Sequence, residues 1–368
     1  MQVLVANLGS TSFKFKVHDM DKNGEVVARG GYERIGQESG EFKTHGDVID
    51  VILKQLGGKP DAIGFKAVHG GPISGAVRVD ESVIATMQQF ADIAPAHNPP
   101  YIAAMRAFAE KLPDVPQVAC FETAFHQTIP PARQAYAVPQ EWAEKLGIRR
   151  YGFHGASHRY IATRMKELSP GARRVINCHL GGSSSICAIE DGKSVATSMG
   201  LTPQTGLPQN NRVGDFDTFA LLKLLKSGFG VDRVLTVLSK QSGLLGLSGV
   251  SNDMRDIEQA AAEGNARAQL AIDAYVDSIR HYVGAYLVAL GGCDALVFTA
   301  GIGENGAQLR ADVCRNLGFA GIKLDDKLNN VRGKETKISA LDSNCEIWIV
   351  PTNEELIVAR QTAEELKK

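Results

Sequence analysis

The stretch QVLVANLGSTSFKFKV, residues 2–17, indicates how the fold begins. Residues 2–6 and 13–17 are typical of two strands, because apolar residues alternate with lysines in the second run and a period of two marks a strand with one buried face. Residues 9–12, Gly-Ser-Thr-Ser, separate the two runs. The stretch therefore predicts a hairpin whose small tip offers backbone and hydroxyl donors.

The same plan recurs in the second half of the chain. RVINCH (174–179), a turn of glycine and serine, and SICAIE (185–190) again give strand, turn and strand, without sequence identity to the first hairpin. Elsewhere strand-like runs alternate with segments of helical period. This alternation predicts an α/β fold with mixed sheets and two related domains.

Charge and composition exclude several classes of protein. The 368 residues include 40 Lys and Arg against 41 Asp and Glu, a net charge of −1, so a nucleic acid is not the expected partner. There is no evident export signal, and no window approaches the roughly 18 uninterrupted apolar residues of a membrane span. The six cysteines lie scattered in apolar contexts without a C-x-x-C pair, which predicts reduced, buried thiols and a cytoplasmic protein.

Three glycine-rich turns follow apolar strands, at residues 9–12, 181–184 and 301–306. Glycine lets backbone N–H groups approach an anion closely, and hydroxyl groups add donors, so such turns suit phosphate. An ordinary tight turn explains any one of them. Three with the same layout favour a nucleotide polyphosphate held between two domains.

The third turn also fits a dinucleotide fingerprint. Gly301-x-Gly303-x-x-Gly306 follows a strand, opens a helix and has Asp325 about 20 residues further on, as in a Rossmann dehydrogenase. Against that alternative, the match lies near the end of the chain and leaves the other two turns without a role. The sequence G-x-x-x-x-G-K-[ST] does not occur, which excludes a P-loop enzyme.

Histidine and arginine side chains are candidates for stabilising the negative charge of phosphate. His154 and His158 have i,i+4 spacing but lack the Glu of the H-E-x-x-H motif, so we do not expect a zinc protease. We expect His154 to precede a helix N-terminus, where a neutral imidazole can donate a hydrogen bond to an anion. A structural histidine is the alternative. Arg212 lies in a polar segment and suits a transferring phosphoryl group; the alternative is a loop arginine paired with Asp215 or Asp217.

A lysine and three residues with side-chain oxygen complete the candidates. Lys66 lies inside an apolar strand and needs a carboxylate or phosphate partner. Asn7, Glu122 and Glu354 fall at strand ends, where α/β sheets place their ligands. Oxygen ligands without a cysteine or histidine cluster predict Mg²⁺ carried on a nucleotide.

Together these segments resemble the acetate kinase family of acyl-group phosphotransferases, within the actin and sugar kinase superfamily. The matching segments are NLGSTSFK (7–14), VHGG (68–71), HNPP (97–100), ETAFHQ (122–127), YGFHGASH (151–158), CHLGG (178–182), TSMGLTP (197–203), RVGDFD (212–217), FTAGIGEN (298–305) and PTNEEL (351–356). The resemblance covers nearly the whole chain, which looks shorter than usual between the first hairpin and Lys66. It implies two actin-like (ribonuclease H-like) domains whose mixed sheets face a central cleft.

Two prolines at 130–131 interrupt both helix and strand, so we place the domain boundary near them. The expected N-terminal domain, on the carboxylate side, comprises residues 1–127 and 356–368. The expected C-terminal domain, on the nucleotide side, comprises residues 128–355.

The resemblance implies reversible transfer of the γ-phosphoryl group of ATP to a short-chain carboxylate such as acetate or propionate, with Mg²⁺ or Mn²⁺, in a cytoplasmic homodimer. It implies catalytic roles for His154, Arg212, Glu122 and His97. It implies a substrate pocket of Lys66, Val68, Phe153, Pro203 and Ala96, and metal-linked positions at Asn7 and Glu354. It implies nucleotide contacts from Ser10, Ser12, Lys14, His179, Leu180, Gly181, Gly182, Ser183, Asp253, Met254, Arg255, Gly301, Ile302, Gly303, Glu304 and Asn305.

Several positions depart from the pattern that the resemblance implies. Lys66 stands where the family has arginine, and Glu122 where it has aspartate, so the two changes could compensate each other. Gly182 stands where an asparagine amide is expected in the phosphate turn, and residues 209–211, Gln-Asn-Asn, are more polar than usual. Ala96 replaces a leucine and would free room for a larger acid.

Two alternatives stay open. The changes at Lys66, Glu122 and Gly182 would also suit a nucleotide-binding homologue that has lost most of its catalysis. The scaffold could instead use another phosphoryl donor such as pyrophosphate, although the intact segment 301–305 favours a nucleotide.

Overall fold

The computed structural model describes residues 1–9, 11–73, 75–93 and 97–368. Two predicted site residues, Ser10 and Ala96, lie outside the described residues.

Among the described residues, the first six strands form one mixed sheet in the order β3-β2-β1-β4-β6-β5. These strands are β1 (Gln2–Gly9), β2 (Ser12–Asp19), β3 (Glu25–Glu33), β4 (Ala62–Ala67), β5 (Ala76–Arg78) and β6 (Gln117–Phe121). Strands β1 and β2 form the predicted antiparallel hairpin, with Asn7 opposite Lys14 and Gly9 opposite Ser12. Strand β4 runs parallel to β1 and to β6, and β5 closes the edge antiparallel to β6.

The second sheet has the same order and the same strand directions. Its strands in the described part of the chain are β7 (Arg174–Leu180), β8 (Ser184–Glu190), β9 (Lys193–Thr197), β10 (Ala295–Thr299), β11 (Thr336–Lys337) and β12 (Glu346–Ile349), in the order β9-β8-β7-β10-β12-β11. Strand β7 pairs antiparallel with β8 and parallel with β10, as β1 does with β2 and β4. The two strand-turn-strand segments of the sequence are thus the starts of two copies of one topology, and the predicted α/β fold with mixed sheets is confirmed.

Helices cover the sheets and connect their strands. They are α1 (His45–Leu56), α2 (Glu81–Gln89), α3 (Asn98–Lys111), α4 (Pro131–Gln134), α5 (Gln140–Leu146), α6 (Gly155–Leu168), α7 (Ala220–Lys226), α8 (Val231–Lys240), α9 (Gly243–Ser248), α10 (Met254–Ala262), α11 (Ala266–Leu290), α12 (Ala300–Asn305), α13 (Ala307–Cys314) and α14 (Glu354–Leu366). Short 3₁₀ turns span Met20–Lys22, Ala124–Thr128 and Gly318–Ala320.

Residues 3–6 of strand β1 are apolar because both faces of the strand are buried there. Val3 and Val5 pack in one cluster with Val358 of α14, whereas Leu4 and Leu8 belong to a separate core cluster on the opposite face. Each fully buried aliphatic side chain contributes about 1.5–3 kcal/mol. A central strand of this kind holds the residues at its carboxyl end in fixed positions.

Helix α14 lies close on the first sheet, and a glycine makes this possible. A Cβ atom at Gly64 of β4 would lie 2.4 Å from the hydroxyl oxygen of Thr362. The helix starts with a cap, since the side chain of Asn353 accepts a hydrogen bond from the backbone N–H of Leu356 at 3.3 Å. This packing fixes the first residue of the helix, Glu354.

The chain forms two compact units. The first comprises Met1–Gln127, Phe153–Tyr160 and Asn353–Lys368, and the second comprises Thr128–Gly152 and Ile161–Thr352. This division differs from the predicted domains, which placed residues 153–160 and 353–355 in the second. The start of α6 belongs to the first unit because a Cβ at Gly155 would lie only 2.0 Å from the carbonyl oxygen of Glu122 and because Ala156 packs in the cluster of Val3.

All six cysteines are buried and free, in agreement with the predicted buried thiols. In the ranges that the structure describes, none of the helices has both the length and the apolar character needed to cross a membrane.

Candidate active site

A lysine and two carboxylates meet in the first unit. Lys66 lies near the end of β4, Glu122 follows β6 directly, and Glu354 begins α14. The Nζ atom of Lys66 lies 3.4 Å from Oε1 of Glu122 and forms a second ion pair with the carboxylate of Glu354. The three side chains are 19%, 5% and 13% exposed. The structure therefore joins three of the predicted site residues into one buried group, here called the Lys66 cluster.

Burial and charge act against each other in the Lys66 cluster. Burial by itself would lower the pKa of Lys66, but attraction by Glu354 and then Glu122 outweighs it, and the pKa is raised. Burial raises the pKa of Glu122, although the charge of Lys66 opposes this. The ammonium group thus stays charged and neutralises carboxylates that would be costly to bury alone.

The other oxygen of Glu122 holds the start of α6. Its Oε2 atom accepts a hydrogen bond from the backbone N–H of Ala156 at 3.2 Å. His154 directly precedes this helix and has a φ of 57°, in the left-handed region that side chains other than glycine seldom adopt. His154 therefore stands before a helix N-terminus, the position that the sequence indicated, and its catalytic role stays a prediction.

The predicted acid pocket is divided between the units. In the first unit Val68 is half-buried, Phe153 is 3% exposed with its ring centre 5.9 Å from that of His69, and His97 immediately precedes α3. Pro203 belongs to the second unit. The structure thus places Val68, Phe153 and His97 in the same unit as the Lys66 cluster.

A buried histidine that the sequence did not single out fixes the backbone beside His154. His126 is 2% exposed, and its Nε2 atom lies 2.8 Å from the carbonyl oxygen of Phe153, to which it donates in the neutral Nε2–H tautomer. Burial lowers the pKa of His126 to about 4.

Acid is expected to destabilise the chain through His126. The unfolded histidine titrates near 6.5, so between that pH and about 4 the unfolded state binds a proton that the native state refuses, and stability falls as the pH falls. Full protonation of the unfolded state would remove about 3 kcal/mol. The measurement is the free energy of unfolding in urea from about pH 7 to about pH 4.

His126→Gln is the matched variant, because the glutamine amide can donate to the same carbonyl but does not titrate. The stability advantage of the native chain over this variant should shrink as the pH falls. An advantage that stays constant over the same pH range would contradict the lowered pKa.

The second unit contains a cavity of about 830 Å³. It is lined by Gly181, Gly182, Asn210, Asp253, Met254, Arg255, Glu258, Gly301, Ile302, Asn305, Gly306 and Arg332. The turn after β7 and helix α12, which follows β10 in place of the predicted turn, thus border one space, although they lie far apart in the sequence. Eight of the predicted nucleotide contacts line this cavity.

Other predicted nucleotide contacts lie outside the lining. The side chain of Leu180 is fully buried in the core, and His179 is 7% exposed. Gly303 is buried where α12 packs against β10, and Oε1 of Glu304 accepts a hydrogen bond from the backbone N–H of Thr352 at 3.3 Å. For these residues the structure shows packing or backbone support.

A charged pair forms one end of the lining. Asp253 caps α10 by accepting from the backbone N–H of Arg255 at 2.9 Å, and it also accepts from the guanidinium group of Arg255 at 3.0 and 2.5 Å. These hydrogen bonds lower the pKa of Asp253 to about 2. Asp253 therefore stays ionised and holds the exposed Arg255 at the cavity wall.

Sequence reasoning missed three lining residues. Asn210 lies in the segment noted as unusually polar, which was a usable signal. Glu258 and Arg332 are exposed residues in a helix and a loop, and nothing in their local sequence distinguishes them from ordinary surface charges.

Arg212 lies in a network of neutral acceptors beside the phosphate turn. Its Nη1 atom donates to Oγ of Ser183 and to Oε1 of Gln209, each at 3.2 Å. Burial lowers the pKa of this guanidinium from its ordinary value. Over the described parts of the chain, no carboxylate lies within 4 Å of Arg212.

The alternative pairing of Arg212 with Asp215 or Asp217 is wrong. Asp215 accepts hydrogen bonds from the backbone N–H of Gly206 at 2.9 Å and from the hydroxyl group of Tyr282 at 2.5 Å. Asp217 accepts from the backbone N–H of Phe219 at 2.8 Å. Both carboxylates have other partners, and neither pairs with Arg212.

Near the tip of the first hairpin, Lys14 is exposed to solvent. Lys14 lies 3.6 Å from Oε1 of Glu33, and both side chains are largely exposed. A Cβ at Gly9 would lie 2.6 Å from Oγ of Ser12, so a larger residue there would require the Ser12 hydroxyl group to rotate away. Asn7 is half-buried on β1.

Asp325, which the dehydrogenase alternative would assign to a bound ribose, instead stabilises its own turn. Its carboxylate accepts hydrogen bonds from the backbone N–H groups of Lys327 and Leu328 at 2.9 and 3.0 Å. This arrangement is a turn cap, and helix α12, which contains Gly301, ends at Asn305.

Comparison with known proteins decides between the acetate kinase resemblance and the dehydrogenase alternative. The sequence profile of the acetokinase family matches residues 2–360. The chain belongs to this family. It is therefore a kinase that transfers a phosphoryl group to a carboxylate, with ATP or ADP as co-substrate, and the dehydrogenase alternative is excluded.

Individual relatives of this acetokinase-family chain agree over its whole length. An acetate kinase of Natranaerobius thermophilus is 44% identical, with 98% of each chain covered. The crystal structure of an acetate kinase from Porphyromonas gingivalis is 40% identical with a TM-score of 0.92, and that of a propionate kinase from Francisella tularensis is 36% identical with a TM-score of 0.92; each match covers 99% of both chains.

Proposed function

We propose that this chain catalyses the reversible transfer of the γ-phosphoryl group of ATP to acetate or propionate, giving ADP and an acyl phosphate. The relatives that carry the names acetate kinase and propionate kinase support these two acids. The family gives the type of reaction, and the proposal adds the phosphoryl donor, ATP, and the acceptor acids, acetate and propionate.

The observation that carries the proposal is the unpaired charge of Arg212. A half-buried guanidinium without a carboxylate within 4 Å in the described structure stands next to Ser183, in a glycine-rich turn that borders the 830 Å³ cavity. Taking a cation out of water without a counter-charge is costly, so such a site favours an anionic ligand. A phosphoryl group in transfer spreads its charge over three oxygens that a planar guanidinium can bridge.

The acceptor needs little activation. A carboxylic acid has a pKa near that of Glu, about 4.3, so it is already an anionic nucleophile at neutral pH. The difficulty is to bring this anion to a polyanion, which requires cations and donors. We propose that Lys66 supplies positive charge for the carboxylate, and that His154, just before α6, and Arg212 stabilise the transferring group.

We propose that Asn7 and Glu354, whose carboxylate also pairs with Lys66, would hold Mg²⁺. An amide and a carboxylate provide oxygen atoms, which Mg²⁺ prefers, and a site with so few protein ligands suits an ion that keeps several waters and binds substrate phosphates. No group of three or more His, Cys, Asp or Glu able to hold a metal occurs in the portion of the chain that was described. When bound with the nucleotide, Mg²⁺ would neutralise phosphate charge.

A homodimer is also proposed. Large apolar side chains are exposed on α7, α8 and the loops beside them, and a second copy of the chain could cover them. They are Phe216, Phe219, Leu222, Leu225, Phe229, Val231 and Leu235.

Formation of acyl phosphate, trapped as the hydroxamate, tests the proposed reaction. With Mg-ATP we expect turnover of acetate and propionate above formate, butyrate and lactate, and propionate should be accepted well if Ala96 enlarges the pocket. Pyrophosphate in place of ATP should give no product. The absence of acyl phosphate from every acid would contradict the proposal and favour a weakened homologue, whereas product with pyrophosphate alone would reassign the donor.

A further inference from the structure

The amide of Asn210 occupies the space beside the phosphate turn. The backbone N–H of Asn210 donates to the carbonyl oxygen of Gly182 at 3.2 Å, and a Cβ at Gly182 would lie 3.2 Å from Nδ2 of Asn210. From the other side, the backbone N–H of Leu245 donates to the carbonyl oxygen of Asn210 at 2.9 Å. The position of Asn210 is therefore fixed by the backbone on both sides.

The side chain of Asn210 has unused hydrogen-bonding capacity. It lines the 830 Å³ cavity, and its Oδ1 atom is buried without a hydrogen-bond partner in the described ranges. A buried polar atom of this kind costs stability unless a ligand meets it. The NH₂ group, which lies beside the open space at Gly182, is the donor that faces the phosphate turn.

The neighbouring amide shows the contrast. Gln209 is fully buried, its Oε1 atom accepts from Ser183 at 2.7 Å, and its Nε2 atom donates to the carbonyl oxygen of Pro203 at 2.7 Å. Gln209 thus supports Ser183 and the loop within the protein. Asn210, one residue later, turns its amide to the cavity.

We propose that Asn210 binds the phosphate chain of the nucleotide through its side-chain amide, next to Gly181 and Gly182. This inference rests on the proposed function, because it takes ATP or ADP as the occupant of the cavity. The glycine turn offers backbone donors and leaves open the space that a side chain at Gly182 would fill. The neutral amide adds a donor there without a charge that would repel phosphate.

Calorimetric titration with ADP and with adenosine tests the assignment. Asn210→Ala should weaken ADP binding about 10- to 100-fold, the usual value of one hydrogen bond to a charged group, and leave adenosine binding unchanged. Asn210→Asp, which has nearly the same shape, should weaken ADP binding further because its carboxylate repels phosphate. The thermal midpoint of Asn210→Ala should stay near that of the native chain, since no protein hydrogen bond of the side chain is lost.

Asn211→Ala is the matched control, because Asn211 is the adjacent amide and does not line the cavity. It should bind ADP and adenosine as the native chain does. Equal ADP affinity for the Asn210→Ala and Asn211→Ala variants, or a loss of adenosine binding equal to that of ADP, would overturn this inference and leave the proposed function standing. A native chain that binds no ADP would overturn both. If Asn210→Ala does not fold, the ADP affinity of Asn210→Asp, compared with that of the native chain, tests the inference instead.

Discussion

Replacing Arg212 with alanine is expected to lower kcat by about 10³- to 10⁵-fold, the range found when an arginine that stabilises phosphoryl transfer is removed. The KM for ATP should change little, because Arg212 does not line the 830 Å³ cavity in which we propose that the nucleotide binds. Stability should not fall, since the arginine contacts only neutral acceptors and removing a half-buried, uncompensated charge relieves a desolvation cost. Initial rates at saturating acid and thermal unfolding measure both expectations.

Two variants frame this experiment. Arg212→Lys keeps the charge but loses the planar fork, so we expect an intermediate kcat. Arg133→Ala is the control, because Arg133 also donates to carbonyl oxygens, those of Val195 and Ala289, yet has no place in the proposed site. If the kcat of Arg212→Ala stays within about tenfold of the native value, Arg212 does not stabilise the transition state.

Replacing Lys66 with methionine is expected to lower the free energy of unfolding by about 3–5 kcal/mol and to abolish most activity. The methionine fills the space of the lysine but leaves Glu122 and Glu354 facing each other without a cation. Both carboxylates are largely buried, at 5% and 13% exposure, so water can compensate little. Urea unfolding near neutral pH measures the loss.

Lys14→Met is the matched control for Lys66. Lys14 also pairs with a glutamate, Glu33, but both side chains are more than half exposed, so about 0–1 kcal/mol is expected. Adding Glu122→Gln to Lys66→Met should restore part of the stability. Equal losses for Lys66→Met and Lys14→Met would show that the Lys66 cluster does not act as a buried ion group.

Lys66→Arg combined with Glu122→Asp distinguishes a retuned enzyme from a decayed one. If Lys66 and Glu122 are adjusted to each other, the double variant should lose activity relative to the native chain. A large gain would indicate that the native pair weakens catalysis.

The architecture was largely predictable because its signals are local. The alternation in β2 and the glycine turns at residues 9–12 and 181–184 depend on near neighbours in the chain, and both predicted hairpins are present. The placement of residues 153–160 was not predictable. It depends on Gly155 meeting the carbonyl oxygen of Glu122 after the chain has folded back.

The sequence predicted which types of residue form the candidate site better than it predicted which residues contact each other there. The glycines that line the 830 Å³ cavity could be named because they recur in the same place after apolar strands, whereas a single glycine turn would carry little information. His126 could not be named, since its role consists of a hydrogen bond to the backbone at Phe153. Arg332 and Glu258 reach the cavity from a loop and a helix whose local sequences resemble any exposed surface.

The amino-acid sequence by itself determined the two strand-turn-strand starts, the apolar strands that build the two sheets, and the family. The strands and turns follow from side-chain periodicity and from the conformational freedom of glycine, which act over a few residues, whereas the family follows from the ten segments that resemble it. Only the tertiary structure decided that Lys66 is neutralised by Glu122 and Glu354, that Arg212 is left without a carboxylate, and that Asn210 stands beside Gly182. Such pairings join residues distant in sequence, and burial, which sets the strength of their charges and hydrogen bonds, exists only in the folded chain.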